Sequence, residues 1–196
     1  MKLRTTLILL AVVLLPAGYM LGQAIFTPFT GTIAALGPPT DLGRFICPGG
    51  EPTGLYPMGP PCTPGSRFHF RGVKFPWYLQ STDDRVTGFM ELTLNANTEG
   101  WRADLMGPGS GQLWGTARLE VVGTDGNRTG EVWEGTLTGT RTVRETGYRT
   151  TSRCVLHGST GRIEGLVAEL DTINDPEAGL DTAWGRILAP PGKSGK

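Results

Sequence analysis

Alternation of apolar and polar residues dominates the chain from residue 85 onward. Between residues 85 and 97, apolar side chains such as Met90 recur at every second position, and polar residues fill the positions between them. Residues 111–122 repeat the pattern. Because side chains alternate across a strand, each segment has one apolar face. We expect the two apolar faces to share one interior, formed by Met90, Leu92, Leu94, Leu113, Ala117 and Leu119.

The same pattern predicts further strands along the chain. They lie at residues 31–36, 67–79, 131–142, 148–157, 162–171 and 182–188. Pro76 lacks a backbone N–H, so it predicts an edge, a bulge or a strand end. Residues 124–130 predict a hairpin turn. No segment has a helical period of useful length, although residues 174–181 could hold one short turn.

An apolar residue followed by glycine recurs within the strand-like segments, at Gly115, Gly135, Gly165 and Gly185. Glycine inside a strand loses packing and costs conformational entropy, so its repeated use predicts bends where a sheet curls. Together with the strand count, these bends predict an all-β fold: an antiparallel eight-stranded up-and-down barrel, wide enough for one small ligand. A two-sheet β-sandwich uses a similar number of strands and is the alternative.

The first residues carry the pattern of an export signal. Lys2 and Arg4 precede an unbroken apolar run at residues 7–15, and Gly22 and Ala24 offer a cleavage site between small residues. Residues 1–24 are therefore predicted to be a signal peptide, which makes the protein secreted or periplasmic. Residues 5–26 are also long enough for an uncleaved membrane anchor, and that alternative stays open.

Composition divides the remaining chain into three parts. Residues 25–66 hold the first strand and a long segment rich in proline and glycine, residues 67–188 form the predicted barrel body, and residues 189–196 form a flexible tail. Proline removes backbone donors, so most of residues 37–66 is neither helix nor central strand. Loops of this length in compact domains are often functional.

Three cysteines constrain the redox chemistry. Cys47 and Cys62 bracket the proline-rich segment, and in an oxidising compartment a disulfide between them is the simplest pairing. Cys154 then stands alone, and we expect a small buried apolar residue rather than a reactive thiol. The sequence has two histidines and no paired C-x-x-C motif, so it predicts no zinc site and assigns no other metal or cofactor.

The charge balance argues against two classes of partner. The chain has 18 lysine and arginine residues against 18 acidic residues. Such a near-neutral chain has no electrostatic footprint for nucleic acid or for anionic membranes. We therefore expect no nucleic-acid partner and no stable membrane insertion once the signal is removed. The sequence leaves the oligomeric state open.

Four charged residues are candidates for ligand binding: Glu134, Arg149, Arg153 and His157. The last three share one face of a predicted strand. That face is either a polar stripe inside the barrel, where it could hold a carboxylate, or a solvated outer face. Glu134 is an inward acid–base group or part of an exposed threonine-rich face. Alternating strands usually place charge outward, which favours the exposed interpretation. No nucleophile, phosphate-loop or HExxH motif is present, so no catalytic residue is assigned.

Residues 130–136 (GEVWEGT) and 158–166 (GSTGRIEGL) resemble strand segments of the allene-oxide-cyclase-like barrels of the calycin group. The resemblance extends over residues 67–188 and consists of glycine spacing between hairpins. It implies a small barrel with an apolar interior that can hold a lipophilic molecule. No residue of this sequence matches the catalytic positions of the cyclases, so none is carried over.

These observations predict an exported β-barrel that binds a small lipophilic ligand. One alternative is a cyclase or isomerase that acts on a lipophilic substrate, which the resemblance alone implies. The other is a structural envelope protein without a ligand. A barrel cavity of ~300 Å³ or more with inward polar groups favours binding or catalysis, and a filled interior favours the structural role.

Overall fold

The structure, a computed structural model, describes residues 25–54, 59–105 and 107–190. The predicted signal peptide and residues 191–196 of the predicted tail lie outside these ranges, as does the alternative anchor up to residue 24. The strands in the described ranges are β1 (Ile25–Ala35), β2 (Arg44–Ile46), β3 (Phe68–Ser81), β4 (Gly88–Thr98), β5 (Trp101–Arg102), β6 (Gly107–Pro108), β7 (Gly111–Val122), β8 (Arg128–Val143), β9 (Tyr148–Gly158), β10 (Val167–Asp175) and β11 (Leu180–Ala189). Short 3-10 turns occupy Asp84–Val86, Ala103–Leu105 and Gly161–Ile163.

Eight of the strands form a closed antiparallel ring. They pair in the order β1, β11, β10, β9, β8, β7, β4 and β3, and β3 pairs with β1 to complete the circle. Strands that follow one another in the ring also follow one another along the chain, which is up-and-down connectivity. The predicted all-β barrel is therefore confirmed, and closure into one continuous sheet excludes the two-sheet sandwich. β2 lies beside β3, and β5 pairs with β6.

The N-terminal strand belongs to the barrel. β1 pairs with β11 from Ile25 to Thr32 and with β3 from Gly31 to Ala35, so the ring closes only through it. The sequence predicts the first strand at residues 31–36 and the barrel body at residues 67–188, which leaves the first strand outside the barrel body. In the structure, Pro28 pairs only with β11, and proline is tolerated in a strand that has one neighbour.

A bulge keeps the aromatic side chains of β3 on one face. The register between β3 and β4 shifts between Phe70 and Val73. Gly72 supplies the extra residue with a φ of +71°, a conformation that glycine adopts without steric cost. Phe68, Phe70 and Val73 are all buried. Without the extra residue, period-two alternation would turn Val73 outward.

Pro76 marks the place where β1 leaves β3. The Leu36 N–H donates to the Pro76 carbonyl oxygen over 3.0 Å, and the ladder between the two strands ends at the pair Ala35 and Trp77. A return bond from residue 76 would need the N–H that proline lacks. The expected interruption at Pro76 is thus the point where the proline-rich segment starts.

The connection between β9 and β10 differs from the predicted strand at residues 162–171. Gly161 and Gly165 have φ values of +64° and +74°, which fold this segment into a turn, and β10 begins at Val167. Ile163 and Leu166 are buried, with 0% and 3% exposure. They pack into the barrel end instead of alternating along a strand, so their apolar character was misread as part of β10.

Close approach of neighbouring strands explains three of the recurrent glycines, and a Cβ atom added to the first, Gly115, would collide with the Thr93 carbonyl oxygen. A Cβ atom added to Gly135 would collide with the Val155 carbonyl oxygen, and one added to Gly185 would collide with the Glu169 carbonyl oxygen. Glycine at these positions lets adjacent backbones approach within a small barrel. Gly165, by contrast, lies in the turn described above.

The predicted interior of β4 and β7 is confirmed. Met90 pairs with Leu119 and Leu92 pairs with Ala117, and each of these four side chains is at most 8% exposed. The six predicted positions all belong to the buried clusters or pack against them: Met90, Leu92, Leu94, Leu113, Ala117 and Leu119.

One end of the barrel, here called the sealed end, is filled by side chains. Trp133 is fully buried, and its indole Nε1 donates to the Arg85 carbonyl oxygen over 2.6 Å. Val86 and Ile163, each from a 3-10 turn, are at most 1% exposed. Burial of these large apolar groups supplies much of the hydrophobic stabilisation at this end.

Arg162 links the two turns of the sealed end. Its Nε lies 2.9 Å from Glu131 Oε2, and its Nη1 lies 2.6 Å from Asp84 Oδ2. Glu131 is 7% exposed, so this carboxylate is buried with a charged partner, as buried charges require. The hydrogen bonds to Glu131 and Asp84 raise the pKa of Arg162.

Candidate functional site

The opposite end of the barrel, here called the open end, contains a cavity of about 460 Å³. The inward residues nearest the middle of the barrel form its floor, and they include Met90, Leu92, Leu137 and Cys154. Small-molecule sites are typically concave, largely apolar pockets of ~300–1,000 Å³. The cavity falls in this range, so the open end is the candidate ligand site.

One side of the cavity, here called the aromatic wall, is built on β3. Its side chains are Phe45, Phe68, Phe70, Phe75, Trp77 and Trp101. Phe68, 1% exposed, is the centre of this wall: its ring centroid lies 5.4 Å from that of Phe45 and 5.7 Å from that of Trp101. Ring pairs in tilted and edge-on arrangements are stabilised by more than the burial of their apolar surface alone.

The other side, here called the polar wall, is built from the open ends of β8 to β11. It carries Arg141, Tyr148, Thr150, Ser152, Thr172, Asn174 and Asp181. Strand β9 lies halfway around the ring from β3, so the two walls face each other. The cavity is therefore amphipathic, with rings on one side and hydrogen-bonding groups on the other.

Arg141 is the cationic side chain that lines the cavity. Its guanidinium carbon lies 3.5 Å from the ring centroid of Tyr148, and its Nε donates to the Pro108 carbonyl oxygen over 3.0 Å. No carboxylate of the described residues forms a salt bridge with it. Burial lowers the pKa of Arg141, while the adjacent Tyr148 acts in the opposite direction. The guanidinium is held in place from its Nε edge and from one face.

The remaining polar residues of the wall are mostly paired with one another. The Ser152 and Thr172 hydroxyl oxygens lie 2.6 Å apart, and the Asn174 amide donates to the Asp181 carboxylate. In the opposite wall, the Trp77 indole N–H is buried and has no hydrogen-bond partner among the described residues. Buried donors of this kind are rare in native proteins.

Cys154 is a buried packing residue. It is free and fully buried, and burial, followed by the effect of Asp171, raises the pKa of its thiol to about 12. The protonated thiol is a poor nucleophile. The expectation of a small buried apolar residue is confirmed.

The predicted disulfide is present at the rim of the open end. Cys47 and Cys62 are joined, with their Cα atoms 5.6 Å apart. Phe45 of β2 lies two residues before the bridge and lines the cavity. The described part of the proline-rich segment is ordered by backbone bonds such as that from the Arg67 N–H to the Pro48 carbonyl oxygen (3.3 Å). The bridge thus ties one edge of the aromatic wall to the barrel.

The four charged residues predicted to bind a ligand lie on the outer face. Glu134 accepts a hydrogen bond from Arg118 Nε over 3.2 Å, and Arg153 Nη2 lies 2.9 Å from Glu169 Oε2. His157 pairs with Glu134 across β8 and β9, and Arg149 pairs with Thr142. None of the four lines the cavity, because the inward positions of β9 carry Cys154 and Leu156 and the charged positions alternate with them. The candidate site is corrected accordingly.

Arg141 and Tyr148 were missed although the alternation pointed to both. Arg141 lies an even number of positions after the inward Trp133 and Leu137 in the same strand, and Tyr148 lies an even number before Cys154. The period-two rule therefore assigns both to the inner face. Neither was predicted to bind a ligand: the exposed interpretation of the charged stripe places Tyr148 in the core with Cys154 and Leu156, and Arg141 was assigned no role.

Two other features are absent from the described residues. No three His, Cys, Asp or Glu side chains in these residues are grouped closely enough to hold a metal ion. No helix in the described ranges has the length and apolar character needed to cross a membrane.

The fold and the cavity define a small antiparallel β-barrel that is sealed at one end and open at the other. Comparison of the chain with family models, with curated proteins and with solved structures yields no match.

Proposed function

We propose that this protein is an exported binding protein that holds a small lipophilic molecule in the open end of its barrel. The observation that carries the proposal is the cavity of about 460 Å³ beside an aromatic wall. Rings and aliphatic side chains in a concave site favour an apolar ligand, because binding removes apolar surface from water. The glycine spacing that resembles allene-oxide-cyclase-like barrels supports the same class of ligand.

Export is the second element of the proposal. The Cys47–Cys62 bridge supports an oxidising compartment, where such bonds persist. Cleavage after Ala24 would leave the pairing of Ile25 with Ala189 intact, so removal of the signal is compatible with the closed ring. N-terminal sequencing of the exported protein should begin near Ile25. An intact Met1 in a membrane fraction would favour the anchor.

Binding can be tested with N-phenyl-1-naphthylamine, a neutral apolar probe whose fluorescence rises in apolar surroundings. We expect saturable binding to the purified mature protein. Thr150 lines the cavity and is half-buried, whereas Thr151 is exposed on the other face of β9. Thr150→Trp should therefore fill the site and weaken binding by about tenfold or more, and Thr151→Trp should leave it unchanged.

The outcomes separate the candidate functions. Equal binding by the two variants would place the probe outside the cavity, and no binding to the wild-type protein would favour the structural role. Thermal unfolding of both variants checks that the barrel has formed.

A further inference from the structure

The two walls of the cavity differ in chemistry in a way that restricts the ligand further. Arg141 lies on the polar wall, on a strand three places around the ring from β3, which carries most of the aromatic rings. A ligand that occupies the cavity therefore meets apolar groups along its body and a guanidinium at its other side. From this arrangement we infer that the ligand is a lipophilic carboxylate, with its acidic head group on Arg141 and its apolar body against the aromatic wall. This inference rests on the proposed function of the cavity.

The surroundings of Arg141 support an anionic partner. The described chain provides no carboxylate in a salt bridge with it, although the side chain is partly withdrawn from water. Contact with Tyr148 and the bond from Nε to the Pro108 carbonyl oxygen hold the guanidinium plane. The bond to Pro108 uses Nε alone, so the terminal nitrogens Nη1 and Nη2, beside the Tyr148 side chain, can donate to a ligand. Planar guanidinium donors match the two oxygens of a carboxylate, and such charge-assisted pairs are strong.

Other polar groups of the cavity are compatible with a single negative charge. Asp181 is the carboxylate on the same wall, and it accepts a hydrogen bond from the Asn174 amide. Ser152 and Thr172 are paired with each other. The acidic head group is therefore expected at Arg141 and not farther along the wall, where Asp181 would repel it.

Three probes with the same carbon chain and different head groups test the inference: decanoate, 1-decanol and decylamine. Their affinities for the wild-type protein are measured at pH 7 by displacement of N-phenyl-1-naphthylamine and by calorimetry. We expect decanoate to bind at least about tenfold more tightly than 1-decanol, and decylamine to bind most weakly. Equal affinities for decanoate and 1-decanol would overturn the carboxylate inference and leave the proposed lipophilic site standing. Failure of all three probes and of N-phenyl-1-naphthylamine would remove the proposed function itself.

A pair of variants locates the head group. Arg141→Gln should weaken decanoate binding by about ten- to hundredfold and leave 1-decanol binding unchanged. Arg153→Gln removes the same charge from the outer face of β9, where Arg153 pairs with Glu169, and should leave both affinities unchanged. An equal loss in the two variants would show a general charge effect and contradict the inference. Should Arg141→Gln fail to fold, the head-group series on the wild-type protein decides the question alone.

Discussion

Each end of the barrel contains an arginine that bonds to a neighbouring segment of the chain, and the two arginines differ in their partners. At the sealed end, Arg162 contacts the carboxylates of Glu131 and Asp84, and hydrogen bonds to them raise its pKa. At the open end, Arg141 has a tyrosine ring and a carbonyl oxygen, and burial lowers its pKa. The first arginine has carboxylate partners, whereas no carboxylate of the described residues pairs with the second, although burial of an unpaired cation is costly. The comparison shows that the charges of the sealed end are paired within the chain, and it supports the proposal that the open end takes a ligand.

The largest effect is expected at the sealed end. Trp133→Ala removes a fully buried indole and its bond to the Arg85 carbonyl oxygen, and it should lower the free energy of unfolding by about 3–5 kcal/mol. Trp184 is 41% exposed on the outer surface, and Trp184→Ala should cost far less. Chemical denaturation measures both variants. Similar losses would mean that the sealed end is not the stabilising half of the barrel.

The disulfide is expected to contribute the next largest amount. Replacing both Cys47 and Cys62 by serine should lower the free energy of unfolding by about 3 kcal/mol on the chain-entropy model, because the bridge closes a loop with a sequence separation of 15. The same variant should also bind N-phenyl-1-naphthylamine more weakly, since Phe45 would lose its tether. Unfolding and probe titration are compared with the wild-type protein. Unchanged binding would show that the aromatic wall holds its shape without the bridge.

A smaller effect separates a buried from an exposed ion pair. Glu131 is 7% exposed, and its carboxylate is bonded to Arg162. Glu131→Gln removes the charge and weakens these bonds, which should cost about 1–3 kcal/mol of stability. Glu134 pairs with Arg118 on the outer face and has a side chain that is 60% exposed, so Glu134→Gln should cost at most about 1 kcal/mol. Urea denaturation at neutral pH compares the two. The reverse order would contradict the assignment of Arg162 and Glu131 to an internal network.

The last effect concerns the Cys154 thiol, at the floor of the cavity, and appears only at high pH. Burial raises the pKa of this thiol from its ordinary 9.0 to about 12, so between these values the native state keeps a proton that the unfolded chain releases. This contribution to stability is complete below pH 9 and is lost as the pH rises towards 12, by about 1.4 kcal/mol per pH unit. Cys154→Ala should remove that part of the pH dependence. Parallel stability curves for the wild-type protein and the variant would contradict the burial of the thiol.

Local patterns predicted most of the barrel because strand alternation is a short-range property. The inward residues of β4, β7 and β9 follow from period two alone, as does the outward position of Arg153 and His157. The prediction was incomplete where a bulge changed which face a residue occupies, or where a turn ended a strand. Gly72 shifts the register of β3, and the turn at Gly161–Ile163 converts apolar residues of a predicted strand into part of the sealed end.

The sequence by itself determined most strands of the barrel, their apolar faces and the cysteine pairing. Only the tertiary structure decided that β1 closes the ring, that one end is filled while the other holds a cavity, and that Arg141 lines this cavity together with the aromatic wall. The physical reason is that alternation states which face a side chain occupies but not what lies opposite it. That depends on long-range pairing between β1, β3 and β11 and on which turns fold inward. A polar residue on the inner face is costly in a filled barrel and tolerable beside a cavity that water or a ligand can enter.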